Sequence, residues 1–138
     1  MLTNIYLPFL YIHNYLRWVV ILAVAYSLFR ALWGWIGKRN WGDANTKPGL
    51  FATISLDIQL TVGLVLYALG GFSVSIRFFS EHILTMVAAA VFAHLGSALP
   101  KKTASDLAKH RRAALWLGLS LLVILASIPW ANPWLRGL

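Results

Sequence analysis

Cysteine is absent from the 138 residues. That excludes disulfides, Cys-ligated zinc, iron–sulfur clusters and covalent c-type haem attachment. Charge is scarce as well: 12% of residues are charged, and only four are acidic. A soluble domain of this size needs more charge on its surface. No Gly-rich phosphate loop, Ser–His–Asp spacing or HExxH is present, so nothing points to an independent enzyme. GxxxG is missing too, which removes the simplest helix-dimer motif. The first apolar segment has no basic n-region and no small-residue site after it, so no cleavable signal peptide is expected.

What remains is largely apolar. Hydrophobic residues make up 59% of the chain, and mean hydropathy is +0.70. The length suggests one domain, and the composition an integral membrane protein with the lipid bilayer as its first partner. The net charge of +8 fits basic loops that set topology and touch anionic headgroups, and no nucleic acid is expected.

A spanning helix needs about 20 apolar residues. Four segments qualify, over about 8–36, 48–69, 78–99 and 106–130. Backbone groups in lipid must be satisfied internally, so the spans are expected to be helices. The links are short and polar, with Pro48 suited to a first helical turn and Ser105 to an N-cap, followed by Asp106. The expected fold class is all-α, a transmembrane up-and-down four-helix bundle.

Call the end with both termini side A and the other side B. Side B holds Arg30, Lys38, Arg39, Lys47, Lys101, Lys102, Lys109, Arg111 and Arg112; side A holds Arg17, Arg77 and Arg136. Nine against three puts side B in the cytoplasm and both termini outside. Trp33, Trp35 and Trp41 near side B, with Trp130 and Trp134 near side A, fit interfacial aromatic belts.

The four histidines sort by depth. His13 and His82 each lie near the side A start of a span, roughly 5–8 Å in. His94 and His110 lie at side B. His82 and His94 are separated by roughly 18 Å along the axis and about 120° in facing. Imidazole pairs inside a bundle can ligate haem iron axially. In a square bundle the first and third spans are diagonal, which gives His13 and His82 room for a macrocycle. His94 and His110 would sit on adjacent helices only about 8–10 Å apart, a tighter second site. Gly63 at the depth of His13, and the deeper Gly118, could make room. Arg17, four residues after His13, and Arg111 and Arg112 beside His110 could meet propionates. The plain alternatives are a topogenic His110 in a basic loop edge and a structural hydrogen bond for His94.

Ionisable groups inside spans default to a functional hypothesis with a named partner. Asp57 recurs with Thr53 and Thr61 at every fourth residue, suggesting one polar stripe. Arg30, at a similar depth of roughly 10 Å from side B, is its expected partner. That pair would fix the first two helices together; the sharper alternative is a proton-carrying or quinone-contacting carboxylate. Glu81 could orient an imidazole or pass a proton at the outer face, or simply be solvated.

The stretches HNYLRWVV (13–20), FATISLDIQL (51–60), SEHILTMVAAAVFAHLG (80–96) and KHRRAALWLGLSLLVILASIPW (109–130) carry a resemblance. Through Asp57–Gln59, Glu81–His82, His94–Gly96 and Ile128–Trp130 the chain resembles small bacterial four-helix membrane proteins labelled cytochrome b-like. The link at 70–79 is shorter here than in many of them. The resemblance implies a b-type haem and a bacterial cytoplasmic membrane.

The leading expectation is an electron carrier in a respiratory or quinone-linked assembly. It would hold one or two haems b, with His13, His82, His94 and His110 as candidate iron ligands and Arg17 on a propionate. Arg30 and Asp57 would brace the bundle, and a quinone or redox protein would be the partner. The alternatives are a haem-free accessory or scaffold subunit of a larger complex, and a small homo-oligomeric transporter built around Asp57.

Overall fold

A computed structural model describes residues 2–128, with side chains from Ile5 onward. Trp130, Trp134, Arg136 and the end of the expected fourth span therefore lie outside the described residues. The described chain is all-helical, with four helices long and apolar enough to cross a membrane.

Helix α1 runs Leu2–Ile36, six residues earlier than expected. Pro8 sits inside it, in the second turn, where it supplies no N–H to the carbonyl four residues back. Helix α2 runs Asp43–Leu69 rather than from residue 48. Gly42 caps it, its carbonyl accepting from the Asn45 and Thr46 amides at 2.9 and 3.1 Å, and Asp43 complements the positive end. Pro48 is thus six residues in, not in the first turn. It supplies no N–H to the Ala44 carbonyl four residues back, and Arg30 Nε donates to that carbonyl instead, at 3.2 Å.

Helix α3 spans Ile76–Lys102. The Ser75 hydroxyl caps its start by accepting from the Phe78 amide at 3.1 Å. A π-helical turn covers Phe79–Leu84, and a 3-10 turn, Leu99–Lys102, ends it. Inserted π turns occur often at functional sites, and this one contains Glu81 and His82. Helix α4 runs Asp106–Ser127, with Ser105 as the expected cap, accepting from the Ala108 amide at 3.2 Å.

Each helix packs against the next, and α4 closes back on α1, so α1 and α3 stand on a diagonal as expected. The core lies toward side B and is built from small residues. Ala89, Ala90 and Ala93 of α3 and Ala113, Ala114 and Leu117 of α4 belong to one buried cluster. A Cβ on Gly96 would come within 2.9 Å of the Leu117 Cγ. Small residues let backbones approach closely, the main way apolar helices gain contact in lipid. The Ser120 hydroxyl donates to the Ala89 carbonyl at 2.8 Å and ties the same seam.

Candidate functional site

Toward side A the bundle opens. A cavity of about 410 Å³ lies between α1, α2 and α3, closed in part by Ile128. Its wall is mainly apolar, interrupted by His13, Asn14, Arg17, Gln59 and His82. A concave apolar space with a few convergent polar groups is the usual form of a ligand or cofactor site.

The two expected partners meet there. The rings of His13 and His82 lie 6.3 Å apart, centre to centre, with planes at 80°. His82 Nδ1 donates to the Ser127 carbonyl at 2.9 Å, which fixes the tautomer and leaves Nε2 with its lone pair. Its ring also packs on Phe78 at 5.0 Å. His13 is held through its backbone: the Gln59 amide nitrogen donates to the His13 carbonyl at 3.0 Å and lies 3.4 Å from His13 Nε2. His13 Nδ1 has no partner. Gly63 makes room for this ring, because a Cβ there would sit 3.0 Å from His13 Cε1.

Four buried side-chain atoms lack a hydrogen-bond partner among the described residues, and three belong to this cavity: His13 Nδ1, Arg17 Nε and Gln59 Oε1. Buried polar groups are nearly always paired, so such a cluster marks a place for a bound group. Arg17 is only 9% exposed, and its guanidinium lies 5.2 Å from the Trp18 ring. A buried guanidinium with an unpaired N–H calls for an anion.

These residues fit a b-type haem. His13 and His82, with ring centres 6.3 Å apart, would be the residues to hold its iron. Each ring keeps a nitrogen free of any strong bond, and Arg17 offers a cation for a carboxylate.

The remaining candidates lie elsewhere. His94 and His110 are not brought together. His94 Nε2 bonds both Asp57 oxygens, at 2.9 and 3.0 Å, across α3 and α2. His110 Nε2 donates to the Arg39 carbonyl at 3.0 Å, and its ring packs 5.0 Å from Trp41. Its close neighbour is Gly34, where a Cβ would overlap the imidazole. Trp41 therefore packs inward rather than standing only in a belt, and a Cβ on Gly118 would meet Leu28 at 3.8 Å.

The Asp57–Arg30 pairing does not form: Asp57 takes His94, and Arg30 takes the carbonyl freed by Pro48. Nor do the threonines make a shared stripe. Thr53 and Thr61 donate to carbonyls of their own helix at 2.8 Å, and Thr53 is buried whereas Thr61 is exposed. Glu81 accepts from Arg77 Nε at 2.8 Å in an exposed pair and orients no imidazole. Arg112 donates to the Thr103 hydroxyl at 3.0 Å, away from the cavity lining.

Asn14, Gln59, Met86 and the Ser127 carbonyl belong to the site and were missed. Gln59 and Asn14 carried a signal, being amides inside spans. A backbone acceptor such as Ser127 carries none.

Compared with family models, curated proteins and solved structures, the chain matches none of them.

Proposed function

We propose that the chain is a membrane-embedded b-type haem protein that relays electrons in a respiratory or quinone-linked assembly. The observation that carries this reading is the His13–His82 pair, 6.3 Å apart across an apolar cavity. A haem bound there would supply one-electron transfer at its iron. His13 and His82 would hold the metal. The Ser127 carbonyl keeps the His82 lone pair turned away from α4, Gln59 anchors α1 at His13, and Arg17 would pair with a propionate. The apolar wall would limit water at the metal. One haem is proposed, because His94 and His110 are each engaged with another group. The nine-to-three distribution of cations supports an orientation with both termini outside.

A reduced-minus-oxidised spectrum of the purified protein tests the reading. A b-type Soret shift is expected, lost in His13→Ala and His82→Ala and kept in His94→Ala. A colourless preparation after haem is supplied would overturn it.

A second reading has one observation of its own. Asp57 and His94 bond to each other while their side chains stay about half exposed, 49% and 55%, on helices that face lipid. An ionisable pair in hydrocarbon is costly, so a partner subunit or a second copy covering it would be stabilised. That would suit an accessory subunit or an oligomeric transporter. Asp57→Asn separates the readings: as an electron carrier the chain keeps its haem spectrum in this variant, whereas an assembly or flux role is lost with the spectrum unchanged or absent.

A further inference from the structure

At side B a second cavity, of about 400 Å³, opens between the end of α1, the following loop, the start of α2 and α4. Arg30, Lys38, Arg39, Asn40, Asn45 and His110 are among its lining residues, and no carboxylate is. The nearby acids are already taken: Asp43 pairs with Lys47 and Asp106 with Lys109, each at 3.0 Å. Among the described residues the Lys38 ammonium has no acceptor. The Arg39 guanidinium only stacks over Trp33, at 5.1 Å. Arg30 spends Nε on the Ala44 carbonyl and keeps its terminal nitrogens unused. Three cations thus share one concavity rich in donors.

The backbone here is held in place. Lys38 has φ 48°, the left-handed region that costs a non-glycine residue and persists where surroundings enforce it. The enforcing bonds are the Lys38 amide to the Trp35 carbonyl, at 3.3 Å, and the Arg39 amide to the Gly34 carbonyl, at 2.9 Å. The Arg39 carbonyl in turn accepts from His110 at 3.0 Å. Beside the cavity, Trp33 and Ile36 are 50% and 81% exposed, an apolar ledge at the level of the aromatic belt.

We propose that this cavity binds the phosphate of an anionic phospholipid, with Arg30, Lys38 and Arg39 as its ligands and the acyl chains lying on Trp33 and Ile36. Phosphate suits a cluster of cations without carboxylates, and basic pockets at the ends of spanning helices suit anionic headgroups. The apolar ledge selects the lipid over a free anion. The site is separate from the histidine cavity and does not depend on the haem reading.

The test uses the full chain in neutral detergent, where no charged bilayer confuses the result. Phosphatidylglycerol, phosphatidylcholine and sodium phosphate are each titrated, and bound lipid is counted by native mass spectrometry. One phosphatidylglycerol is expected to be retained in preference to phosphatidylcholine. Lys38→Gln with Arg39→Gln should weaken it by about ten-fold or more. Lys101→Gln with Lys102→Gln removes the same charge outside the cavity and should not. The first variant keeps the backbone bonds described above, and Lys38→Gln alone gives the same reading if the double variant folds poorly. Equal loss in both double variants, equal retention of phosphatidylcholine, or full displacement by millimolar sodium phosphate would overturn the proposal.

Discussion

At the scale of single residues, two glycines act by what they leave out. Gly63 leaves space for the His13 ring and Gly34 for that of His110. The two spaces differ in tightness: a Cβ would lie 3.0 Å from His13 Cε1, but at Gly34 it would overlap the His110 ring. Gly34→Ala should therefore displace His110 and break its bond to Arg39, with a loss at or above the roughly 1–3 kcal/mol typical of overpacking, read as a lower unfolding midpoint in detergent. Gly63→Val should leave the fold in place but push His13 from its position. Haem retention is expected to fall by about ten-fold, equivalent to roughly 1.4 kcal/mol and within that same range. Unchanged haem occupancy in Gly63→Val would count against His13 as a ligand.

Helices carry the next set of consequences. Pro48 and Arg30 form a unit: the proline frees the Ala44 carbonyl and the arginine satisfies it from another helix. Arg30→Ala should cost about 1 kcal/mol, the usual net worth of such a bond. In a Pro48→Ala background the restored backbone N–H competes for the same carbonyl. The cost of Arg30→Ala should then drop below about half that value, a coupling read from a double-mutant cycle. Purely additive effects would show that the two donors do not compete for that carbonyl. The α3–α4 seam depends on Gly96 in the same way. Gly96→Val would press on Leu117 and the adjoining backbone, with an expected loss of about 1–3 kcal/mol.

The whole molecule is asymmetric along its axis. Alanine-rich contacts close the bundle toward side B, while toward side A the diagonal helices leave the cavity between them. A group bound in that cavity replaces contacts that the side A half lacks. Haem held at about a hundred times its dissociation constant should stabilise the fold by roughly 2.7 kcal/mol. Thermal melts of haem-loaded and haem-free protein check this, and His82→Ala should remove the difference. An equal midpoint with and without haem would argue that the cavity is not its site.

The class of fold was legible in the sequence because burying peptide groups in lipid leaves helices as the economical answer to long apolar runs. The cap at Ser105 was legible for a local reason, a hydroxyl within reach of an amide three residues on. The equal depth of His13 and His82 followed from counting residues along rods of constant rise. Helix starts were less legible: six residues before Pro8 and five before Pro48 join their helices, because a proline that removes one backbone N–H need not end a helix, as the Arg30 bond to the Ala44 carbonyl shows. Pairing of side chains was not legible at all. Depth alone matched Asp57 with Arg30, whereas rotation about each helix axis and the packing of neighbours gave Asp57 to His94 and His110 to Arg39. Axial position is a property of one helix and can be read from its sequence. Azimuth and partner depend on how four helices settle against each other, and only the tertiary structure decided those.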